Sequence, residues 1–159
     1  MAAPRITGRF ETPQDEPFLR RLIMGTVEGQ LGAATWPAGL RETILNLQYQ
    51  ARRQAIRSRF PNGESRIILA DGCQAGWLYI AELPEEIRLV EIMVLDEYRR
   101  QGIATAVLRD LVAGARAARK PVRLSVDAGN AGAMRLYERT GFRPTGSDEV
   151  QHFMEHAAA

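Results

Sequence analysis

Hydrophobic positions in this chain recur with two periods, and the switches between them mark out an order of elements. Residues 5–11 (Arg-Ile-Thr-Gly-Arg-Phe-Glu) are rich in branched and aromatic side chains and predict a first strand. Thr12, Pro13 and Asp15 supply helix-start chemistry, after which Phe18, Leu19, Leu22, Ile23 and Val27 recur at helical spacing. Residues 29–34 break that helix. Trp36 and Pro37 open a second helical pattern, with Leu40, Ile44, Leu47, Ala51 and Ala55 on the face expected to be buried. Its other face carries Arg41, Arg52, Arg53 and Arg57, and Pro61-Asn62-Gly63 ends it.

Three short apolar runs follow, at 66–70, 73–81 and 87–95. Asp71-Gly72 is a hairpin dipeptide and Pro84-Glu85-Glu86 a second turn, so the three predict an antiparallel meander. Ile103, Val107, Leu108, Leu111, Val112 and Ala115 then line one face of a helix running to about residue 119. Pro121 starts a strand at 122–127. Strand, helix and strand make a βαβ unit, whose two strands must be parallel. Asn130 suits the N-cap of a helix through Thr140, Gly141 suits its stop, and 142–144 with 149–155 predict a closing hairpin. The expected fold class is α+β: a mixed, mostly antiparallel sheet with helices on both faces around a central parallel βαβ unit, in one domain spanning 1–159.

Composition narrows the function classes. With 45% apolar and 25% charged residues the chain is globular, and a net charge of +2 is a weak argument for any polyanionic partner. Lys120 is the one lysine; the other basic residues are arginines, which keep their charge and offer a planar fork to phosphate or carboxylate. Cys73 stands alone, so no intramolecular disulfide forms. Arg5, Arg9 and Glu11 leave no apolar signal-like stretch, and no apolar run is long enough to span a bilayer. The expected location is cytoplasmic, away from the membrane.

The stretch 91–106 concentrates the chemistry. An apolar strand runs into a short turn at 96–98, then into Arg99-x-x-Gly102-x-Ala104 at the mouth of the amphipathic helix. The first N–H groups of a helix lack internal partners and carry partial positive charge, so they favour an anion. Gly102 allows a phosphate close to the backbone, and Arg99 and Arg100 add charged donors. A surface turn eased by a glycine is the plain alternative. No Walker A loop is present, and the three-glycine dinucleotide fingerprint is missing, so nucleotide hydrolysis and hydride transfer are disfavoured.

Two motifs carry a resemblance. Residues 94–108, with Tyr98-Arg99-Arg100-Gln101-Gly102-Ile103-Ala104, resemble the pyrophosphate-binding motif of the GNAT superfamily of acyl-CoA N-acyltransferases, Gln/Arg-x-x-Gly-x-Gly/Ala. Leu124-x-Val126, Asn130, Ala133, Leu136-Tyr137-Glu138 and Gly141-Phe142 resemble that family's downstream segment, at its usual distance. The pair spans about a third of the chain. Arg100 departs from the pattern, since many members have glycine there.

The resemblance implies a GNAT-like fold and an N-acetyltransferase that moves an acetyl group from acetyl-CoA to a primary amine of a small molecule or peptide by direct attack, with no metal. It implies that the backbone of Met93 and Val94 meets the pantetheine arm and that Arg99, Arg100, Gln101, Gly102, Ile103 and Ala104 line the pyrophosphate. Asn130 would face the cofactor arm, Val94 N–H would serve the oxyanion, and Tyr137 would protonate the leaving thiolate. Glu91, a carboxylate inside an apolar strand on the face of Leu89 and Met93, is the candidate base; an ion-paired Glu91 with water as base is the alternative, and Glu82 and Glu86 are weaker candidates. Trp36 and Tyr49 read first as core, and His152 and His156 as surface residues without zinc-site company. Two other functions stay open: a non-catalytic acyl-CoA-binding module, and a toxin-like transferase acting on charged tRNA, prompted by arginines 52, 53, 57 and 59. A solvated helix face is the default for those arginines, and nucleic acid is disfavoured without aromatic interleaving. Homodimers are common in the family.

Overall fold

The computed structural model describes residues 3–158. β1 (Ile6–Phe10) leads through a 3-10 turn into α1 (Glu16–Leu31), and α2 (Ala38–Arg59) follows. β2 (Glu64–Ala70), β3 (Cys73–Glu82) and β4 (Ile87–Val94) form the meander. After a 3-10 turn at Asp96–Tyr98 come α3 (Ile103–Ala117), β5 (Val122–Asp127), α4 (Ala131–Arg139), β6 (Arg143–Ser147) and β7 (Gln151–His156). The seven strands make one sheet in the order β1-β2-β3-β4-β5-β7-β6. Every neighbouring pair is antiparallel except β4 and β5, which α3 joins as a crossover. The α+β class and the parallel βαβ unit are as the sequence predicts.

Local chemistry explains the sharp boundaries. Asp71 and Gly72 both take positive φ (49° and 82°), the backbone a two-residue hairpin needs. Asn130 caps α4, its side chain accepting the Ala133 N–H at 3.1 Å. Asp15 is buried and ties β1 to the start of α1, accepting two hydrogen bonds from Arg9 at 2.8 Å and one from Thr12 N–H.

The sheet separates two apolar cores. On one face, α1 and α2 cover Ile67, Trp77, Tyr79 and Met93. The other face packs Leu78, Leu89, Val122 and Leu124 with Leu108 and Val112 of α3, and Tyr137 of α4 joins that cluster. β4 changes parity within its own length. Tyr79 pairs with Glu91 but Ile80 pairs with Leu89, so Val90 is an extra residue in the ladder. An unbroken strand would put Leu89, Glu91 and Met93 on one face, as the alternation predicts. The bulge instead leaves Leu89 in the α3 core while Met93 lies under α1 and α2, with Glu91 turned to the same side.

The buried face of α2 also differs from its apolar stripe. Leu40 and Leu47 are exposed, and Leu45, Tyr49, Arg53 and Ile56 face inward. Polar partners distant in sequence decide this. Arg53 makes a two-pronged pair with Glu11 (3.0 and 2.5 Å), and its guanidinium lies over the Trp77 ring. Tyr49 donates to Glu16 at 2.7 Å. A buried charge with both prongs satisfied is tolerated in the core, which frees the leucines to lie outside.

Candidate active site

Strands β4 and β5 are registered only at Ile87–Val122 and Arg88–Arg123, and beyond that they part. The C-terminal half of β4 therefore has a free backbone edge. Leu95 N–H donates across β3 to the Ala75 carbonyl at 2.8 Å, so strand alternation turns the Val94 N–H and C=O the other way, into the opening. The Val94 carbonyl takes a long contact of 3.4 Å from Arg99 Nε there. Met93 is placed differently from Val94. Its carbonyl oxygen points at β3, where a Cβ on Gly76 would lie 2.3 Å away, and its side chain is buried in the α1/α2 core.

The helix start beside this opening leaves its first amides without backbone partners. Gly102 caps α3 with φ 77°, and Arg100 two residues earlier has φ 63°. The first residue of this turn to make a backbone hydrogen bond is Ala106, to the Gly102 carbonyl at 3.0 Å. Among the described residues, the N–H groups of Arg100, Gln101, Gly102, Ile103, Ala104 and Thr105 have no backbone acceptor. Nothing stands within 4 Å of a Cβ position on Gly102, so the space above the loop is open. The side chains divide. Arg100 is exposed and free to swing, Arg99 is held at 3.2 Å from Asp96, and the Gln101 amide donates to the Glu97 carbonyl. Ile103 is buried in the α3 core and offers only its backbone. A row of unpaired amides at a helix start fits a diphosphate.

Tyr137 of α4 packs in the α3 core and Glu91 of β4 faces Arg52 on α2, yet the charge of Glu91 bears on Tyr137. The Tyr137 ring is buried, packed edge-on against Phe142 with centroids 5.7 Å apart, and its hydroxyl has no hydrogen-bond partner among the described residues. Burial, and then the Glu91 charge, push the Tyr137 pKa up to about 12. Burial likewise raises the Glu91 pKa; Arg52 pulls it down and Asp127 raises it further. Arg52 Nε lies 3.6 Å from Glu91 Oε1. Asn130 sits at the mouth of α4 with its side-chain oxygen committed to the cap.

The α2 arginines do not all lie on the solvated face that the sequence predicts. Arg53 is instead buried in the core, and Arg52 is a half-buried partner of Glu91, while Arg57 and Arg59 are exposed. Neither motif covers Asp127 or Arg88; the one sequence signal for them is a charged residue in an otherwise apolar strand. Tyr49 is core, as first read, and Glu86 and Glu82 are engaged with Arg88, Arg123 and Lys120.

A mixed sheet that opens at its single parallel seam, with a helix start aimed into the gap, defines the class of acyltransferases that draw on coenzyme A. The chain belongs to the acetyltransferase (GNAT) family, whose pattern matches residues 33–142, and is an acyl-CoA-dependent acetyltransferase. No curated protein matches it. Its fold is similar to that of the PaiA N-acetyltransferase of Thermoplasma acidophilum, solved in complex with coenzyme A (TM-score 0.73, 18% identity, covering 96% of this chain and 99% of that one). It is similar too to a GNAT-family acetyltransferase of Staphylococcus aureus (0.71, 13%, 98% and 100%) and to an acetyltransferase of Thermus thermophilus (0.70, 18%, 98% and 98%). At these identities the likeness is one of fold.

Proposed function

We propose that this acetyltransferase uses acetyl-CoA to acetylate a primary amine by direct attack, with Glu91 as base and Tyr137 as acid. The observation that carries the reading is the parting of β4 from β5 beyond Arg88–Arg123, which leaves the Val94 edge open beside the row of unpaired amides. Acetyl-CoA, when bound, supplies the activated acyl carbon and a thiol leaving group. The amides of residues 100–105 and the Arg99, Arg100 and Gln101 side chains hold its diphosphate, with Gly102, Ile103 and Ala104 contributing backbone alone. Val94, with Met93 behind it, lines the pantetheine arm, and Asn130 borders it from α4.

Each remaining demand of the chemistry falls on one group. An amine must lose a proton before it attacks, and a carboxylate whose pKa is raised toward the working pH is the better base for it. Negative charge on the carbonyl oxygen needs a fixed donor, and Val94 N–H is an unpaired amide on the open edge. The departing sulfur needs a proton, and Tyr137 keeps its own throughout the neutral range with no competing acceptor. Calorimetry with acetyl-CoA, followed by an amine panel read by product mass, tests the proposal. Absence of acetyl-CoA binding would end it.

A further inference from the structure

Two strands that part need something to set how far they part. β4 and β5 share the pairs Ile87–Val122 and Arg88–Arg123, and Ile87 N–H donates to the Pro121 carbonyl at 2.9 Å just before them. Val90, the extra residue in β4, follows directly. A bulge sharpens the twist of its strand, and here it turns the far half of β4 away from β5. The bulge accounts for the parting but fixes no width.

Ile87, Leu89, Val122 and Leu124 all lie in the α3 core, so strand alternation puts Arg88, Arg123 and Ser125 together on the opposite face. Arg123 is committed to β7, its Nε donating to Glu155 at 2.7 Å. Arg88 instead reaches forward along the seam. Its Nη2 donates to Ser125 Oγ at 2.5 Å, two residues past the last backbone pair. Two strand residues cover about 7 Å, a diagonal that a long side chain can bridge. Among the described residues this is the one side-chain hydrogen bond between β4 and β5. Glu86 balances charge without fixing Arg88. It stands 3.6 Å from Arg123 and 3.9 Å from Arg88, and its buried Oε2 makes no hydrogen bond. The Arg88 side chain is 20% exposed, so water competes little for the bond to Ser125.

We propose that Arg88 and Ser125 clasp the seam and act as positioning residues for acetyl-CoA, holding the gap at a set width before the pantetheine arm enters it. This rests on the placing of that arm beside Val94 in the reading above. A gap already at its working width spares the cofactor the cost of ordering two strand ends. Without the clasp, β4 and β5 are tied at one end by two backbone pairs and are free to spread or close beyond them.

The test is a double-mutant cycle read by acetyl-CoA calorimetry. Ser125→Ala and Arg88→Gln should each raise the acetyl-CoA Kd by about three- to tenfold. The double variant should lose no more than the weaker single one, because either change already breaks the same bond. Ser125→Thr keeps the hydroxyl and should restore most of what Ser125→Ala loses. Where turnover is measured, KM for acetyl-CoA should rise while kcat changes by less than about twofold. Hydrogen exchange without ligand reads the clasp directly: residues 87–90 and 122–125 should exchange faster in Ser125→Ala, with the β2–β3 ladder unchanged. Losses in Kd that simply add, or a Kd that Ser125→Ala leaves in place, overturn the proposal. Should Arg88→Gln fail to fold, the alanine and threonine variants of Ser125 decide it. Failure of acetyl-CoA to bind the unaltered protein refutes the cofactor reading instead, and unchanged exchange in Ser125→Ala then overturns the clasp separately.

Discussion

Arg52 on α2 holds its Nε 3.6 Å from Oε1 of Glu91 on β4, across the mouth of the opening where the sheet parts. The pair sets the working range of the proposed base. Burial raises the Glu91 pKa, Arg52 opposes the rise, and Asp127 adds to it. A base must be deprotonated to act, so the acid limb of the kcat/KM profile follows Glu91. Removing the cation in Arg52→Gln takes away the group that favours the carboxylate, and the limb moves to higher pH. The rate falls at neutral pH and recovers in alkaline buffer. An acid limb that stays in place in this variant would remove Glu91 from the mechanism. Glu91→Gln should lower kcat by about a hundredfold or more at every pH and abolish that limb.

Tyr137 gives a cleaner separation of chemistry from binding. Its hydroxyl makes no hydrogen bond among the described residues, while its ring is locked against Phe142. Tyr137→Phe therefore keeps the packing and gives up no internal hydrogen bond, so the melting temperature and the acetyl-CoA Kd should hold. With the proton donor gone, kcat should drop by about 10²- to 10⁴-fold. Because the pKa is pushed up to about 12, the unaltered enzyme should show no alkaline loss of rate from this group below pH ~10. A Phe variant that turns over normally would assign the acid role elsewhere.

What the sequence makes legible is local, and what it hides is long-range. The strand at Val122–Asp127 and the Asn130 cap follow from Pro121 and from a side chain bonding three residues ahead, and both lie where the pattern predicts. The inward face of α2 does not, because Arg53 is drawn in by Glu11, 42 positions earlier. Val90 carries no mark of a bulge; it is one apolar residue in an apolar strand. Yet that extra residue puts Glu91 on the α2 side and out of step with Leu89. The motif at 99–104 locates the turn of unpaired amides, but the Arg52 partner of Glu91 comes from a helix that no motif covers.

Arg100 carries a cost that a glycine would not. Its φ of 63° lies in the left-handed region, where a side chain strains the backbone by about 1 kcal/mol or more. Arg100→Gly should relieve the strain at the expense of a freer unfolded chain, for a net stability change within about 1 kcal/mol either way. The lost cation should weaken acetyl-CoA binding by roughly three- to tenfold at low salt, with a smaller difference in high salt where the charge is screened. Thermal melts and calorimetry at two ionic strengths check both. Unchanged affinity at low salt would show that the amides alone hold the diphosphate.

Gly76 supports the open edge of β4 from behind. A Cβ there would lie 2.3 Å from the Met93 carbonyl oxygen and 3.2 Å from Ile68 Cδ1, so an alanine must push the end of β4 away from β3. Backbone cannot yield as a flexible side chain would, and Gly76→Ala should cost on the order of 2–3 kcal/mol. The displaced residues are Met93 and Val94, whose free edge faces the opening, so acetyl-CoA affinity should fall with stability. Gly114→Ala is the matched control: no atom lies within 4 Å of its Cβ position in α3, and removing a mid-helix glycine should stabilise by up to about 1 kcal/mol with affinity unchanged. Urea unfolding and calorimetry on both variants test the pair. If Gly76→Ala folds and binds like the unaltered protein, the close approach of β3 to Met93 has no part in shaping the site.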